Sequence, residues 1–209
     1  FSETCSWGDF DNDGLVDLFI TNSAGIGPYR NRMYKNLGSG NFASIDSGAI
    51  AADLSKPSRN INWIDIDGDR DQDIFVTCEN NQNELCYKNN GGGYYTKVIG
   101  FPPVMNGGNT WSSSWGDYDN DGDLDMVVNN IDDEVLVYRN KTTDDKKNHW
   151  VSLKLEGNKE NINAVGAKVV VFTNNEVQLY EKQPVRGFQS SMEIPLHIGL
   201  GSAKQDSIL

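Results

Sequence analysis

The chain has 209 residues, enough for one or two domains and for a core that needs no help from disulfides. Eighteen Lys and Arg against 30 Asp and Glu leave a formal charge of −12, which repels a phosphate backbone and excludes nucleic acid as a partner. A mean hydropathy of −0.55 is low, yet 10% aromatic residues with 5 Trp exclude a disordered acidic chain.

No apolar run approaches the roughly 18 residues of a spanning helix, and the longest, Val169 to Phe172, reads as one short strand. The expectation is a soluble piece without a membrane span. The chain opens at Phe1 inside a repeat, with no leader in front of it, so truncation and removal of any export signal are expected.

From Trp7 the chain reads W-G-D-F-D-N-D-G-L-V-D-L-F-I, from Trp63 W-I-D-I-D-G-D-R-D-Q-D-I-F-V, and from Trp115 W-G-D-Y-D-N-D-G-D-L-D-M-V-V. The starts lie 56 and 52 residues apart, the period of a stacked or radial array. Each copy is followed by Tyr34-Lys35-Asn36, Tyr87-Lys88-Asn89 or Tyr138-Arg139-Asn140, so the whole unit repeats and not only its loop. Within a unit the pattern has period 2, as in Leu18-Phe19-Ile20-Thr21, and no window carries a helical stripe. The spacing predicts an all-β chain: a partial β-propeller of three blade-like repeats over 1–141, four short strands each. Three blades cannot close a ring, so open sheet edges are expected to invite oligomers.

Residues 142–148 form a polar, charged linker in this reading. From His149 the text changes to a clean alternation, Trp150-Val151-Ser152-Leu153-Lys154-Leu155, and further strands fall within Ala164 to Phe172 and at Val177 to Tyr180. Residues 149–209 are therefore expected to be a separate small β domain, cut short at Leu209.

Each repeat places Asp at loop positions 1, 3, 5 and 9: Asp9, Asp11, Asp13, Asp17; Asp65, Asp67, Asp69, Asp73; and Asp117, Asp119, Asp121, Asp125. Four carboxylates in nine residues repel one another unless a cation sits among them, and calcium takes six to eight such oxygens. Position 7 would give a backbone carbonyl, from Leu15, Asp71 and Asp123. Position 6 needs a positive φ, which Gly14 and Gly122 suit and Arg70 does not, so the middle site is the weakest of about three calcium sites. The EF-hand is rejected, since its position 12 is a bidentate Glu and here it is Ile20, Val76 or Val128. Magnesium fits less well, because it gives up its waters reluctantly.

These loops, set between W-G and L-F-I or M-V-V and followed by Y-K-N, resemble the FG-GAP/VCBS repeats. That resemblance implies calcium-binding propeller blades like those of integrin α-subunits. N-H-W-V-S-L-K-L-E-G from Asn148, N-A-V-G-A-K-V-V-V from Asn163 and L-H-I-G-L-G from Leu196 resemble the ASPIC/UnbV domain. Together the resemblances imply an extracellular or cell-surface setting and binding of a protein or glycan ligand, with no catalysis. The competing readings are a carbohydrate-binding module and an accessory domain of a metal-dependent hydrolase or lyase.

Smaller signals have plainer readings. Trp7, Trp63 and Trp115 fit an inter-blade packing layer. Cys78 and Cys86 flank a short loop, either as a disulfide or as two buried thiols, and Cys5 aligns with Ile61 and Ser113 as a small buried side chain. His149 and His197 have no nucleophile beside them in sequence. Asn140-Lys141-Thr142 is a glycosylation sequon. Tyr94, Tyr95, Trp111 and Phe188 are either rim packing or platforms for sugars.

Overall fold

The computed structural model describes residues 2–23, 30–52, 57–105, 107–142, 148–173, 176–184, 195–202 and 207–208. Nearly all of the regular structure is strand. The first sheet runs β1 (Ser2–Gly8), β2 (Asp17–Asn22), β3 (Arg32–Asn36) and β4 (Phe42–Ser44), in the order β1-β2-β3-β4 and antiparallel throughout. The second repeats it with β5 (Ser58–Ile64), β6 (Asp73–Cys78), β7 (Leu85–Asn89) and β8 (Tyr95–Lys97). The third has β9 (Thr110–Gly116), β10 (Asp125–Asn130) and β11 (Leu136–Tyr138), three strands rather than the expected four among the described residues. Each Asp-rich loop joins the first strand of its sheet to the second.

Two short helical pieces interrupt the strands: α1 (Gly48–Ala52) and a 3-10 turn at Pro102–Met105. Neither is long enough to show a helical stripe in sequence. No helix among the described residues is long and apolar enough to cross a membrane.

The sheets stack because the middle one is apolar on both faces. Along β6 every residue is buried, and the period-2 geometry of a strand sends alternate side chains opposite ways. Ile74, Val76 and Cys78 join Phe10, Phe19, Met33 and Ile61 in one core, while Phe75 and Cys86 join Trp115, Met126 and Val128 in another. The tryptophans mark these layers. Trp63 meets Phe19 edge-on with ring centroids 6.2 Å apart, and Trp115 meets Phe75 at 5.4 Å, pairings worth about 0.5–1.5 kcal/mol each beyond burial. Trp7, on the first sheet's outer side, departs from that expectation. It is 41% exposed, and its ring lies 6.0 Å from that of Phe42 in its own sheet.

The same geometry corrects the expectation for Cys5. It is exposed, whereas its counterparts Ile61 and Ser113 are buried by the preceding sheet. Cys78 and Cys86 are both buried thiols, not joined in a disulfide. Register explains why: Cys86 pairs with Phe75 and Cys78 with Ser58, which puts the two sulfurs in different cores on opposite faces of the sheet.

After residue 148 two further sheets form around Val169, Val171, Leu196, Ile198 and Leu200. One pairs β12 (His149–Leu153) with β15 (Leu196–Gly201), and the other orders β14 (Glu176–Glu181), β13 (Lys168–Thr173) and β16 (Ser207–Ile208). Strands β15 and β16 were not expected, because two glycines interrupt the apolar alternation of the first and the second has only two residues. Most of the 142–148 segment lies outside the described residues.

Candidate functional site

The three Asp loops are built by one hydrogen-bond scheme, repeated bond for bond. The position-1 carboxylate accepts two backbone N–H groups from its own loop: Asp13 and Gly14 donate to Asp9, Asp69 and Arg70 to Asp65, and Asp121 and Gly122 to Asp117, at 2.9–3.1 Å. The position-5 carboxylate accepts the N–H two residues on, from Leu15, Asp71 and Asp123. The position-9 carboxylate clamps both ends of the unit. Asp17 accepts from Phe10 and Asn36, Asp73 from Ile66 and Asn89, and Asp125 from Tyr118 and Asn140. A carboxylate accepting N–H groups in this way stands in for the turn's missing backbone partners.

The loops need two left-handed residues each. Position 6 has φ +85 at Gly14, +87 at Arg70 and +96 at Gly122, and position 4 has φ +58 at Asn12, +69 at Gly68 and +61 at Asn120. Arg70 therefore keeps the backbone of its neighbours at a steric cost. Gly68 fills the second left-handed position, where Asn serves in the other loops.

One carboxylate oxygen from each of Asp9, Asp11 and Asp13 lies within 4.8 Å of the others, and the same holds for Asp65, Asp67 and Asp73 and for Asp117, Asp119 and Asp125. The donors are hard oxygens, and Asp11 Oδ1 and Asp67 Oδ1 are buried with no hydrogen-bond partner. Orphaned carboxylate oxygens in an all-oxygen cluster fit a divalent cation. Burial pushes Asp9 up to about 7, Asp17 to about 6 and Asp73 to about 8, and lifts Asp65 well above the usual carboxylate range. These are the shifts expected of acids gathered and desolvated without a counter-charge.

Some counter-charge comes from the chain itself. Lys35 bridges Asp11 and Asp13, Lys88 bridges Asp67 and Asp69, and Arg139 bridges Asp119 and Asp121, with its two bonds at 2.7 Å. All three cations are the middle residue of the Y-K-N or Y-R-N motif. In the second and third copies the Asn of that motif works across sheets, Asn89 Nδ2 donating to Phe10 O at 2.8 Å and Asn140 Nδ2 to Ile66 O at 2.7 Å, whereas Asn36 Nδ2 donates to Val16 O within its own unit. Neither role was read from the sequence, although the recurrence of the motif in phase with the loops was the available signal. The sequon asparagine thus has its amide nitrogen committed between two sheets.

A family model described as FG-GAP-like repeat matches residues 9–76 and again 65–128, and one described as ASPIC and UnbV matches residues 157–209. The chain belongs to the FG-GAP-like repeat family. No curated protein matches it. The FG-GAP-like repeats carry all three Asp clusters, and the ASPIC/UnbV region, with the segment 148–156 just before it, lies against two of them. Gly201 N donates to Gly68 O at 3.0 Å, Asn148 Nδ2 to Asp67 O at 2.7 Å, and Gln178 Nε2 to Arg70 O. Gly199 sits so close over Asp65 that a Cβ there would lie 1.9 Å from its Oδ2. At the third loop, Trp150 covers Gly122 and stacks on His197 at 5.2 Å.

The remaining singled-out residues divide. His149 is exposed, while His197 is half-buried and its pKa is lowered by that burial. Tyr95 is a core residue whose hydroxyl donates to Gln72 O at 2.8 Å, not a platform. Tyr94 is 69% exposed, and the Arg59 guanidinium lies 5.0 Å over the ring of Trp111. Phe188 lies outside the described residues.

Proposed function

We propose that this FG-GAP-like chain is a non-catalytic, extracellular or cell-surface module in which calcium at the three Asp loops stiffens the sheet array for binding a protein or glycan. The observation that carries the reading is the threefold repetition of one loop, each copy gathering three carboxylates within 4.8 Å. In each loop the position-1, position-3 and either position-5 or position-9 Asp would hold the ion. The ion supplies compensation for carboxylate repulsion. Lys35, Lys88 and Arg139 supply part of it from the chain, and must move or share when the ion binds. Binding that favours the folded state adds about 2.7 kcal/mol of stability at a hundredfold excess over Kd.

The test is thermal unfolding with calcium and with chelator across pH. Without metal, the raised values of Asp9, Asp17 and Asp73 mean that the folded chain holds protons the unfolded chain releases. The stability of the chelated protein is then greatest below the ordinary carboxylate range and falls as pH climbs through about 8. Saturating calcium is expected to raise the melting temperature most at pH 8 and to reverse that slope, because protons then compete with the ion. A midpoint indifferent to chelator at every pH would refute the reading.

A further inference from the structure

Both junctions between FG-GAP-like sheets are built from the same positions. The outgoing face supplies the residue at loop position 2, the third residue of the second strand and the second residue of the third strand. These are Phe10, Phe19 and Met33 in one junction and Ile66, Phe75 and Cys86 in the next. The incoming face supplies the first-strand Trp, Trp63 or Trp115, and in the second sheet also Tyr95 against Phe10. The same positions recur at the two ends of the array, where no further sheet lies among the described residues. At the far end Tyr118, Val127 and Val137 are 59%, 41% and 61% exposed, although their counterparts Phe10, Phe19, Met33, Phe75 and Cys86 are buried. At the near end Phe42 is 42% exposed beside Trp7, although its counterpart Tyr95 is buried.

The two ends match each other in polar groups as well. Asn89 Nδ2 and Asn140 Nδ2 each make one bond inside their own unit, to Gln72 O and Leu124 O, and one to the position-2 carbonyl of the preceding loop. Among the described residues Asn36 Nδ2 makes only the bond inside its own unit, to Val16 O. A preceding sheet would bring the second acceptor, and the position-2 carbonyl at the far end belongs to Tyr118. Charge points the same way. Arg32, opposite Ile20 on the incoming face, is exposed where its counterpart Leu85 is buried. It begins β3, just after the turn from β2, and the corresponding turn at the far end carries the exposed Asp132, Asp133 and Glu134. Unlike ends therefore attract, and the acidic far end brought against itself would set like charges together.

We infer that each end is covered by a second copy of this chain, docked head to tail so that the first sheet of one copy lies on the third sheet of the other. Trp7 then meets Val127 of the second copy as Trp63 meets Phe19 within the chain, and Asn36 reaches the Tyr118 carbonyl. Contacts between unlike faces end in a ring or an open filament according to whether the rotation closes. Each chain brings three sheets, so two copies bring six, within the four to eight that close a propeller. The contact is face to face and differs from pairing between edge strands. It uses none of the carboxylate ligands, so with calcium held in excess its failure leaves the calcium reading standing.

The test is sedimentation velocity of the full chain with excess calcium, from about 1 to about 100 μM. The expected result is monomer and dimer in equilibrium, the dimer at twice 23.2 kDa, with a Kd of about 10 μM or tighter. Val137→Arg spoils the outgoing face and Phe42→Glu the incoming one, both at exposed positions where the melting temperature of the monomer is expected to be kept. Each variant alone is expected to dimerise about tenfold more weakly or worse. An equal mixture of the two is expected to dimerise again, because the intact outgoing face of one meets the intact incoming face of the other and the two introduced charges are opposite. That recovery is peculiar to head-to-tail docking. A chain that stays monomeric at about 100 μM, a dimer that only one variant or neither weakens, or a mixture no better than the separate variants would overturn the proposal.

Discussion

The first and middle Asp loops share every backbone hydrogen bond and differ in what lies outside them. In the first, Asp9 is 1% exposed against its own loop, and Asn12 reaches across to Asp71 Oδ1 at 2.9 Å. The middle loop meets the ASPIC/UnbV region instead, through Gly199 over Asp65, Gly201 on Gly68 and Gln178 on Arg70, and the segment before it through Asn148 on Asp67. One loop chemistry therefore serves two purposes. In the first loop it fastens a strand connection, and in the middle loop it is also the floor on which the ASPIC/UnbV region rests. The carbonyls of Asp67, Gly68 and Arg70 point to residues 148–201 because two left-handed residues turn the backbone outward, at Gly68 and Arg70.

The position-9 aspartates are where the loops are most alike, and removing one is expected to have the largest effect. Asp73→Ala would strip partners from the N–H groups of Ile66 and Asn89 at a site 1% exposed. The expected loss is about 3–5 kcal/mol, from two buried donors left unsatisfied and the cavity. Asp17→Ala, at a site fully buried by the same scheme, should lose a similar amount, and both losses should persist in chelator. Urea denaturation of the two variants checks this. A loss confined to calcium-loaded protein would show that position 9 acts mainly as a ligand and not as a clamp.

Gly199→Val comes next and separates the two purposes. A side chain at that position would meet Asp65 Oδ2 and the Gly68 backbone at once, so the domain must lift or the loop must yield. Overpacking of this kind costs about 1–3 kcal/mol. The expected result is lower stability with one fewer calcium ion bound by titration, while the first and third loops bind as before. Retention of all three ions would show that the middle loop keeps its site without the domain above it.

The loops were legible because their chemistry is local. A carboxylate at position 1 can reach N–H groups four and five residues on with no help from the rest of the fold, so the Asp spacing alone announces the turn. The inter-sheet tryptophans were legible for Trp63 and Trp115, where a repeat places a neighbour against them, and misleading for Trp7 and Cys5, which are exposed. Lys35, Lys88, Arg139 and the Asn beside each were hidden for another reason. Their partners lie 15 to 24 residues away or, for the Asn89 and Asn140 side chains, in another sheet. Period-2 patterning says which face a strand residue takes but not what waits across the gap.

Arg70→Gly carries the smallest expected effect and bears most directly on how alike the loops are. A non-glycine residue at φ +87 stores backbone strain of about 1–2 kcal/mol. Glycine would release it and return about 0.5–1 kcal/mol through the greater freedom of the unfolded chain. The Arg70 carbonyl that accepts from Gln178 belongs to the backbone and survives the change. The net gain expected is therefore about 0.5–1 kcal/mol, read as a small rise in the denaturation midpoint at unchanged slope. If the variant is instead less stable, the Arg70 side chain contributes more to the domain contact than its strained backbone costs. Gly201, whose added Cβ would lie 3.2 Å from Arg70 Nε, marks the place to look for that contribution.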